Sequence, residues 1–173
     1  MEAPEVTEIK ANCENKEYVL KAVSKQGKLL EWASASLRDD EDVVKTALEN
    51  DGEAMEFASD RLKDNKSLML LAIKGAPWTA CYASDRLRAD KDVILSSVES
   101  YGQTLYFASM ELRDDFDVVK AAVSNKGIIV KYASFRLRDN EEIAKIAVEQ
   151  NKVAFHYLSE RMKKDEEVKK LTE

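Results

Sequence analysis

The feature that most constrains this chain is a repeat of 25 residues. Six blocks of equal length align without a gap when the sequence is cut at Asn15, Asp40, Asn65, Asp90, Asp115 and Asn140. If the positions of a block are numbered from 1 to 25, position 18 is always aromatic, position 20 is always Ser and position 24 is always Lys or Arg. Such a period is the signature of repeat proteins, in which each unit buries its apolar face only against its neighbours.

Each block is predicted to form two α-helices. Asp or Asn at position 1 is a preferred N-cap, and the apolar residues at positions 4, 5, 8 and 9 fall on one helical face. A second helix is predicted for about positions 14 to 23. The chain contains only five Gly and two Pro, which also favours helices over turn-rich folds.

The corner between the two predicted helices is position 13. It holds Gly27, Gly52, Gly102 and Gly127, for which a left-handed C-terminal cap is predicted. In the third block Pro77 takes this position, so we expect Gly75 to end the first helix two residues early and Pro77 to begin the second. In the sixth block Lys152 takes it, and Asn151 is the expected left-handed residue.

The predicted fold is all-α, an α-α solenoid of six 25-residue two-helix repeats plus a C-terminal capping helix. The repeats are expected to stack because one block is too short to bury its own apolar face. The predicted boundaries are an N-terminal arm or cap at 1–14, repeats at 15–39, 40–64, 65–89, 90–114, 115–139 and 140–164, and a capping half-repeat at 165–173.

Two consecutive blocks carry a recognisable motif. From Asp90 to Asp114 and from Asp115 to Asp139 the chain reads D-x-[DE]-V-[VI]-x-x-[AS]-V, followed by G-x-x-[LV]-x-[YF]-A-S-x-x-L-R-[DA]. This pattern resembles the repeat called domain of unknown function 4116, and the resemblance extends over about 150 residues of the chain. The family occurs in bacterial proteins, including host-directed effectors, and in protists. The resemblance implies a helical-repeat scaffold and supplies no catalytic residues.

Charge and composition narrow the function classes. The chain has 27 Lys and Arg against 33 Asp and Glu, and a net charge of −6 argues against nucleic-acid binding driven by bulk charge. No apolar stretch approaches the roughly 18 residues of a membrane span, and the acidic N-terminal segment lacks the apolar region of a secretory signal. Two cysteines far apart in sequence indicate a reducing compartment. We therefore expect a cytoplasmic protein, in the host cytosol if it is an effector. We expect no membrane partner and favour a monomer.

The sequence contains no recognisable catalytic or metal-binding constellation. His156, the single histidine, and Cys81 lie three blocks apart at position 17, which is predicted to face outward. The serines at position 20 recur in every block, so each is predicted to bond a backbone carbonyl or the adjoining helix end rather than to act as a nucleophile. We therefore expect no enzyme activity, no cofactor and no metal site.

Positions 14, 17 and 21 are predicted to face away from the core. They are mostly charged in the first two blocks, but six of the nine in blocks three to five are apolar. The candidate partner-binding residues are Trp78, Cys81, Tyr106, Met110, Ile128 and Phe135. Exposed apolar patches usually mark partner sites; the alternative is that these residues are buried between helices or scattered.

A basic row is the second candidate surface. Position 22 adds four arginines to the basic residues at position 24, and these are Arg61, Arg86, Arg136 and Arg161. Such a row could follow a phosphate backbone, although acidic residues follow it closely in sequence and favour ion pairs between repeats.

Three functions are open at this point. The leading hypothesis is a non-enzymatic scaffold that mediates protein–protein interaction and could be part of a host-directed or multidomain protein. The alternatives are nucleic-acid binding along the basic spine, and a structural or regulatory array of a larger enzyme or effector.

Overall fold

The computed structural model describes residues 4–173, and every regular element within that range is a helix. The chain divides into two compact units, Met1–Ser84 and Asp85–Glu173. Within each unit, consecutive repeats pack helix against helix, as in an α-α solenoid. The predicted fold class is therefore confirmed.

Each complete repeat contains a long α-helix, a 3₁₀ helix and a one-turn α-helix, which we call the short helix. In the first unit the α-helices are Pro4–Ala11, Lys16–Val23, Ala35–Arg38, Glu41–Asn50, Asp60–Lys63 and Lys66–Gly75, and the 3₁₀ helices are Gly27–Trp32, Gly52–Phe57 and Pro77–Tyr82. In the second unit the α-helices are Asp85–Arg88, Lys91–Val98, Met110–Arg113, Phe116–Asn125, Phe135–Arg138, Glu141–Gln150, Glu160–Lys164 and Glu166–Lys170. Its 3₁₀ helices are Gly102–Tyr106, Gly127–Tyr132 and Lys152–Tyr157.

The long helices form as the sequence predicts. In repeat two, Oδ1 of the N-cap Asp40 accepts the backbone N–H groups of Asp42 and Val43 at 3.1 and 3.2 Å. Such a side-chain acceptor satisfies donors that the first turn of a helix leaves free. Positions 4, 5, 8 and 9 are at most 3% exposed, and they are Val43, Val44, Ala47 and Leu48.

The prediction of one continuous second helix is wrong. In repeat two, Ala58 and Ser59 interrupt it with extended backbone, at ψ of 156° and 159°. The Oγ of Ser59 accepts the N–H of Leu62 at 3.2 Å and so caps the short helix. Because an N-cap residue must itself lie outside the helix, the serine at position 20 divides the segment in two.

The prediction of left-handed glycine caps is also wrong, because no residue between 4 and 173 has a positive φ. The four glycines at position 13 have another role. A Cβ on Gly102 would lie 2.6 Å from the carbonyl oxygen of Ala122, in the long helix of the next repeat. Three more such contacts would arise, between Gly27 and Ala47, Gly52 and Ala72, and Gly127 and Ala147. The glycines therefore permit close packing of successive repeats.

The third and sixth repeats show what replaces glycine. Pro77 begins its 3₁₀ helix, as predicted. The long helix Lys66–Gly75 ends at Gly75, as predicted, but this end is not early, because Glu41–Asn50 also ends at position 11. Asn151 is extended rather than left-handed, with φ −156°, and its side chain accepts the N–H of Val153.

Both ends of the described chain pack against a neighbouring repeat. Helix Pro4–Ala11 buries Ile9 completely, and the carbonyl of Cys13 accepts the N–H of Ser34 at 2.9 Å. At the other end, helix Glu166–Lys170 buries Val168. The apolar faces of the first and last repeats are covered in this way.

Candidate interaction surface

The large apolar side chains that are strongly exposed in the described chain all lie in repeats four to six. They are Tyr106, Met110, Phe135 and Val153, with exposed fractions of 51, 80, 68 and 48%. They occupy positions 17, 21, 21 and 14, the three positions predicted to face away from the core. Equivalent positions of neighbouring repeats lie side by side in a solenoid, so these side chains share one face of the second unit.

A groove lies within this face, between repeats four and five. We call it the aromatic groove; it encloses about 330 Å³ and is lined by Tyr101, Gln103, Tyr106, Phe107, Lys126, Ile128, Ile129, Lys131 and Tyr132. The ring centroid of Tyr106 lies 5.0 Å from that of Phe107 and 4.9 Å from that of Tyr132. The volume falls at the lower end of the roughly 300–1,000 Å³ of ligand clefts, a size that suits an inserted side chain.

Two lysines make the aromatic groove positive. The Nζ of Lys131 lies 4.8 Å from the ring centroid of Tyr132 and 5.9 Å from that of Tyr157. No acidic residue lines the groove, and neither Lys126 nor Lys131 forms an ion pair with any residue that the structure describes. The aromatic groove therefore carries a local excess of positive charge, although the net charge of the chain is −6.

The equivalent surface of repeats one and two has the opposite character. The 25-residue period places Glu31, Glu53 and Glu56 where the aromatic groove has Tyr106, Ile128 and Lys131. Glu31 and Glu56 are exposed, and Glu53 forms an ion pair with Lys28. The same backbone thus carries acidic side chains in repeats one and two, and aromatic and basic side chains in repeats four and five. Folding therefore does not require the aromatic side chains at these positions.

The remaining residues of the predicted apolar stripe are less accessible. Trp78 and Cys81 are half-buried in the first unit, where the Trp78 ring packs edge-on against Tyr82 with centroids 5.7 Å apart. Burial, together with a hydrogen bond to Glu56, raises the pKa of Tyr82 to about 12. Ile128 is half-buried in the wall of the aromatic groove.

Val153 belongs to the exposed face but was not predicted as part of it. It is the one large aliphatic residue at the outward positions of its block, beside His156 and Glu160. The signal that identifies it is its register, because position 14 of the preceding block holds Ile128.

The arginines at position 22 connect neighbouring repeats. In repeat five, the hydroxyl of Ser134 donates to the carboxylate of Asp114, at position 25 of the preceding repeat. Arg136 donates Nε–H to the same carboxylate at 3.0 Å and Nη2–H to the carbonyl oxygen of Asp114 at 2.5 Å. The Ser134 hydroxyl and the Arg136 guanidinium hold the pKa of Asp114 below its usual value. We call this set of contacts the repeat clamp.

The repeat clamp recurs in both units. Further examples are Ser59 and Arg61 on Asp39, and Ser159 and Arg161 on Asp139. Beneath each one, the serine N–H donates to the carbonyl of position 24 in the preceding repeat, at 3.0 Å for Ser59 and 3.2 Å for Ser159. In these clamps the serine contacts the adjoining helix end, as expected. Its hydroxyl donates to a carboxylate, however, and not to the predicted backbone carbonyl.

Repeat four departs from this pattern. Ala89 stands where the other clamps have Asp, and Glu111 stands where they have Arg. Only the backbone bond remains, from the N–H of Ser109 to the carbonyl of Arg88 at 2.9 Å. Asp and Arg are thus present together or missing together, which indicates that the arginines at position 22 are kept for pairing between repeats.

Most arginines of the candidate nucleic-acid row therefore already form ion pairs within the protein. Arg61, Arg136 and Arg161 each have a carboxylate partner at 2.9–3.1 Å. Arg86 lies exposed in the short helix Asp85–Arg88. Charge that is already matched offers little to a phosphate backbone, because affinity for nucleic acid comes from neutralising phosphates.

Neither a metal-binding cluster nor a membrane-spanning helix is found among the described residues. Between residues 4 and 173, no group of three or more His, Cys, Asp and Glu side chains could hold a metal ion. No helix in this range is both long enough and apolar enough to cross a membrane. His156 is exposed, and its ring lies edge-on to Phe155 with centroids 6.4 Å apart.

The model of one protein family, described as Domain of unknown function (DUF4116), matches the chain in five segments, of which the first four overlap. The matched residues are 15–63, 40–88, 65–113, 90–138 and 140–171. No match was found among curated proteins or among solved structures. The segments begin at residues 15, 40, 65, 90 and 140, each the first residue of a 25-residue block.

Proposed function

The chain belongs to this family of domains of unknown function, and we propose that it is a non-enzymatic helical-repeat scaffold that binds a protein partner. The observation that carries the proposal is the exposure of Tyr106, Met110 and Phe135 on one face of the second unit. Aromatic residues and Met are enriched in protein interfaces, and Tyr is a frequent energetic hot spot. The interface would lie on repeats four to six.

The repeat architecture supports a role without catalysis. An active site needs one set of unlike groups held in a particular geometry, whereas the blocks of this chain repeat the same residues at the same positions. The recurring serines are occupied in capping and clamping, and the single histidine is exposed. Two half-buried thiols, Cys13 and Cys81, support a reducing compartment such as the cytoplasm.

The test is quantitative affinity enrichment from a lysate of the source cells. The wild-type chain is compared with Met110→Ser/Phe135→Ser and with the control Ala35→Ser/Asp60→Ser, which changes the same positions in repeats one and two. The proposal predicts a partner protein whose recovery falls about tenfold or more with the first variant and is retained with the control.

Because Met110 and Phe135 are 80 and 68% exposed, their replacement leaves the fold intact, and thermal unfolding of both variants verifies this. Equal recovery of every enriched protein by both variants would contradict the proposal.

A further inference from the structure

We infer that the aromatic groove binds an acidic segment of the partner, with one apolar side chain inserted among the rings and flanking carboxylates paired with Lys126 and Lys131. This inference rests on the proposed function and deepens it, because it specifies the chemistry of the bound segment. It depends on a different set of residues from the exposed Met110 and Phe135.

The apolar side chain is inferred from the composition of the aromatic groove. Tyr106 and Tyr132, with ring centroids 4.9 Å apart, and the half-buried Ile128 form an apolar lining in a volume of about 330 Å³. Aromatic rings in tilted contact present both edges and faces to an inserted group. A leucine or phenylalanine side chain entering there would remove apolar surface from water on both molecules.

The acidic character of the segment is inferred from charge complementarity. Lys126 and Lys131 line the aromatic groove without a carboxylate partner among the described residues. Most of the charged groups around the repeat joints are paired, as Lys91 is with Asp115 and Asp117 at 2.9 and 2.8 Å. Two unpaired ammonium groups beside an apolar lining favour a ligand that carries negative charge next to its apolar side chain.

Comparison with the first unit shows that the lining of the aromatic groove is not a general property of the repeat. The positions of Lys126, Ile128 and Lys131 correspond to Asp51, Glu53 and Glu56. An acidic segment would be repelled there and attracted at the aromatic groove, although both sites share one backbone design. The equivalent surface of the first unit can therefore serve as a negative control for binding of an acidic segment.

A single-stranded nucleic acid is the competing occupant, because stacking rings and lysines also bind bases and phosphates. The observations favour protein. The exposed face that contains the groove also presents Met110 and Val153, which offer no stacking surface beside the rings of Tyr106 and Phe135. Arg136 is paired with Asp114, and the net charge of the chain is −6.

The experiment selects peptides from a randomised phage-displayed library on the wild-type chain, with counter-selection on Tyr106→Glu/Ile128→Glu/Lys131→Glu. This variant installs the residues of repeats one and two, which the same backbone already accommodates. We expect selected peptides with an aromatic or aliphatic residue flanked by Asp or Glu. Selection of neutral or basic peptides, or of none that the counter-selection removes, would overturn the inference.

A selected peptide is then labelled with fluorescein and titrated by fluorescence anisotropy. Lys131→Glu is expected to weaken its binding about tenfold or more, and added salt to weaken wild-type binding. The matched control Glu56→Lys, at the same position of repeat two, is expected to leave the affinity unchanged. Equal loss in both variants would contradict the assigned site.

A labelled single-stranded oligonucleotide is titrated in parallel. If it binds more tightly than the selected peptide and loses affinity in the triple variant, the ligand is nucleic acid and the inference fails. The enrichment test with Met110→Ser/Phe135→Ser does not depend on the charge of the ligand. A partner lost in that test, with no acidic preference here, would therefore retain the proposed function and remove only this inference.

Discussion

At the scale of single residues, the four glycines at position 13 keep side chains out of the joint between successive repeats. Period and spacing show that the position is special, whereas only the packed structure shows that the constraint is contact with the next repeat. Gly127 faces the carbonyl of Ala147, which lies 20 residues further along the chain. A contact of that sequence separation leaves no local signature, while a left-handed cap is a local rule.

Gly127→Ala is expected to lower the free energy of unfolding by about 1–3 kcal/mol, because the added methyl overpacks a joint between repeats. The control is Gly75→Ala, where the nearest atoms to a Cβ are the backbone N and Cα of Gly52 at 3.3 and 3.4 Å. There the gain in helix propensity offsets the tight contact. Urea unfolding followed by circular dichroism measures both, and a larger loss for Gly75→Ala would refute the packing explanation.

The serines at position 20 offer a second matched pair. Ser134 caps a short helix and donates to Asp114 of the preceding repeat, whereas Ser109 caps a short helix and bonds the carboxylate of Glu111 in that same helix. Ser109→Ala is expected to cost about 1 kcal/mol, the usual value for losing an N-cap. Ser134→Ala should cost more, because its bond to Asp114 connects two repeats, whereas the bond from Ser109 to Glu111 lies within one short helix. Equal losses in urea unfolding would show that the bond between repeats contributes nothing beyond the one within the helix.

At the scale of elements, the long helices follow from the sequence and the second segment does not. Caps and apolar spacing determine Glu41–Asn50 fully, because those rules act within one helix. The break at Ala58 and Ser59 depends on two contacts of Ser59. Its hydroxyl caps the short helix at Leu62, and its N–H donates to the carbonyl of Arg38 in the preceding repeat. The invariance of serine beside an otherwise helical pattern was the signal for that break, since serine is a strong N-cap and a weak helix former.

The repeat clamps predict a specific acid sensitivity. The pKa values of Asp39, Asp114 and Asp139 are lowered in the folded protein, chiefly by the serine hydroxyls that donate to them. Their contribution to stability is therefore complete above the unfolded pKa of about 3.9 and is lost as the pH falls through the lower folded values.

Asp39→Asn/Asp114→Asn/Asp139→Asn should accordingly flatten the dependence of the urea midpoint on pH below about pH 4. The control is Asp60→Asn, since Asp60 is exposed and forms no ion pair in the part of the chain that the structure describes. An unchanged pH dependence in the triple variant would mean that the clamps do not stabilise the folded state.

At the scale of the whole molecule, the sequence predicted which positions face outward but not which of them are accessible. Trp78 at position 14 and Tyr106 at position 17 both belong to the outward-facing pattern, yet Trp78 is half-buried and Tyr106 is 51% exposed. Periodicity cannot resolve this difference, because the exposure of a side chain depends on how all its neighbours pack. The aromatic groove likewise needed Lys126, at a position that the outward-facing pattern does not include.

If binding resides in the side chains of the aromatic groove, on a backbone that is otherwise the same in both units, then binding should move with those side chains. The most direct test transfers the groove by exchanging equivalent residues. One variant loses it through Tyr106→Glu/Ile128→Glu/Lys131→Glu, and a second adds to these the changes Gln26→Tyr, Glu31→Tyr, Asp51→Lys, Glu53→Ile and Glu56→Lys in repeats one and two.

Anisotropy titration of the selected acidic peptide is the measurement. The first variant is expected to lose binding, and the second is expected to recover it to within about tenfold of the wild type. Undiminished binding by the first variant, or no recovery by a folded second variant, would contradict the claim that these side chains are the site.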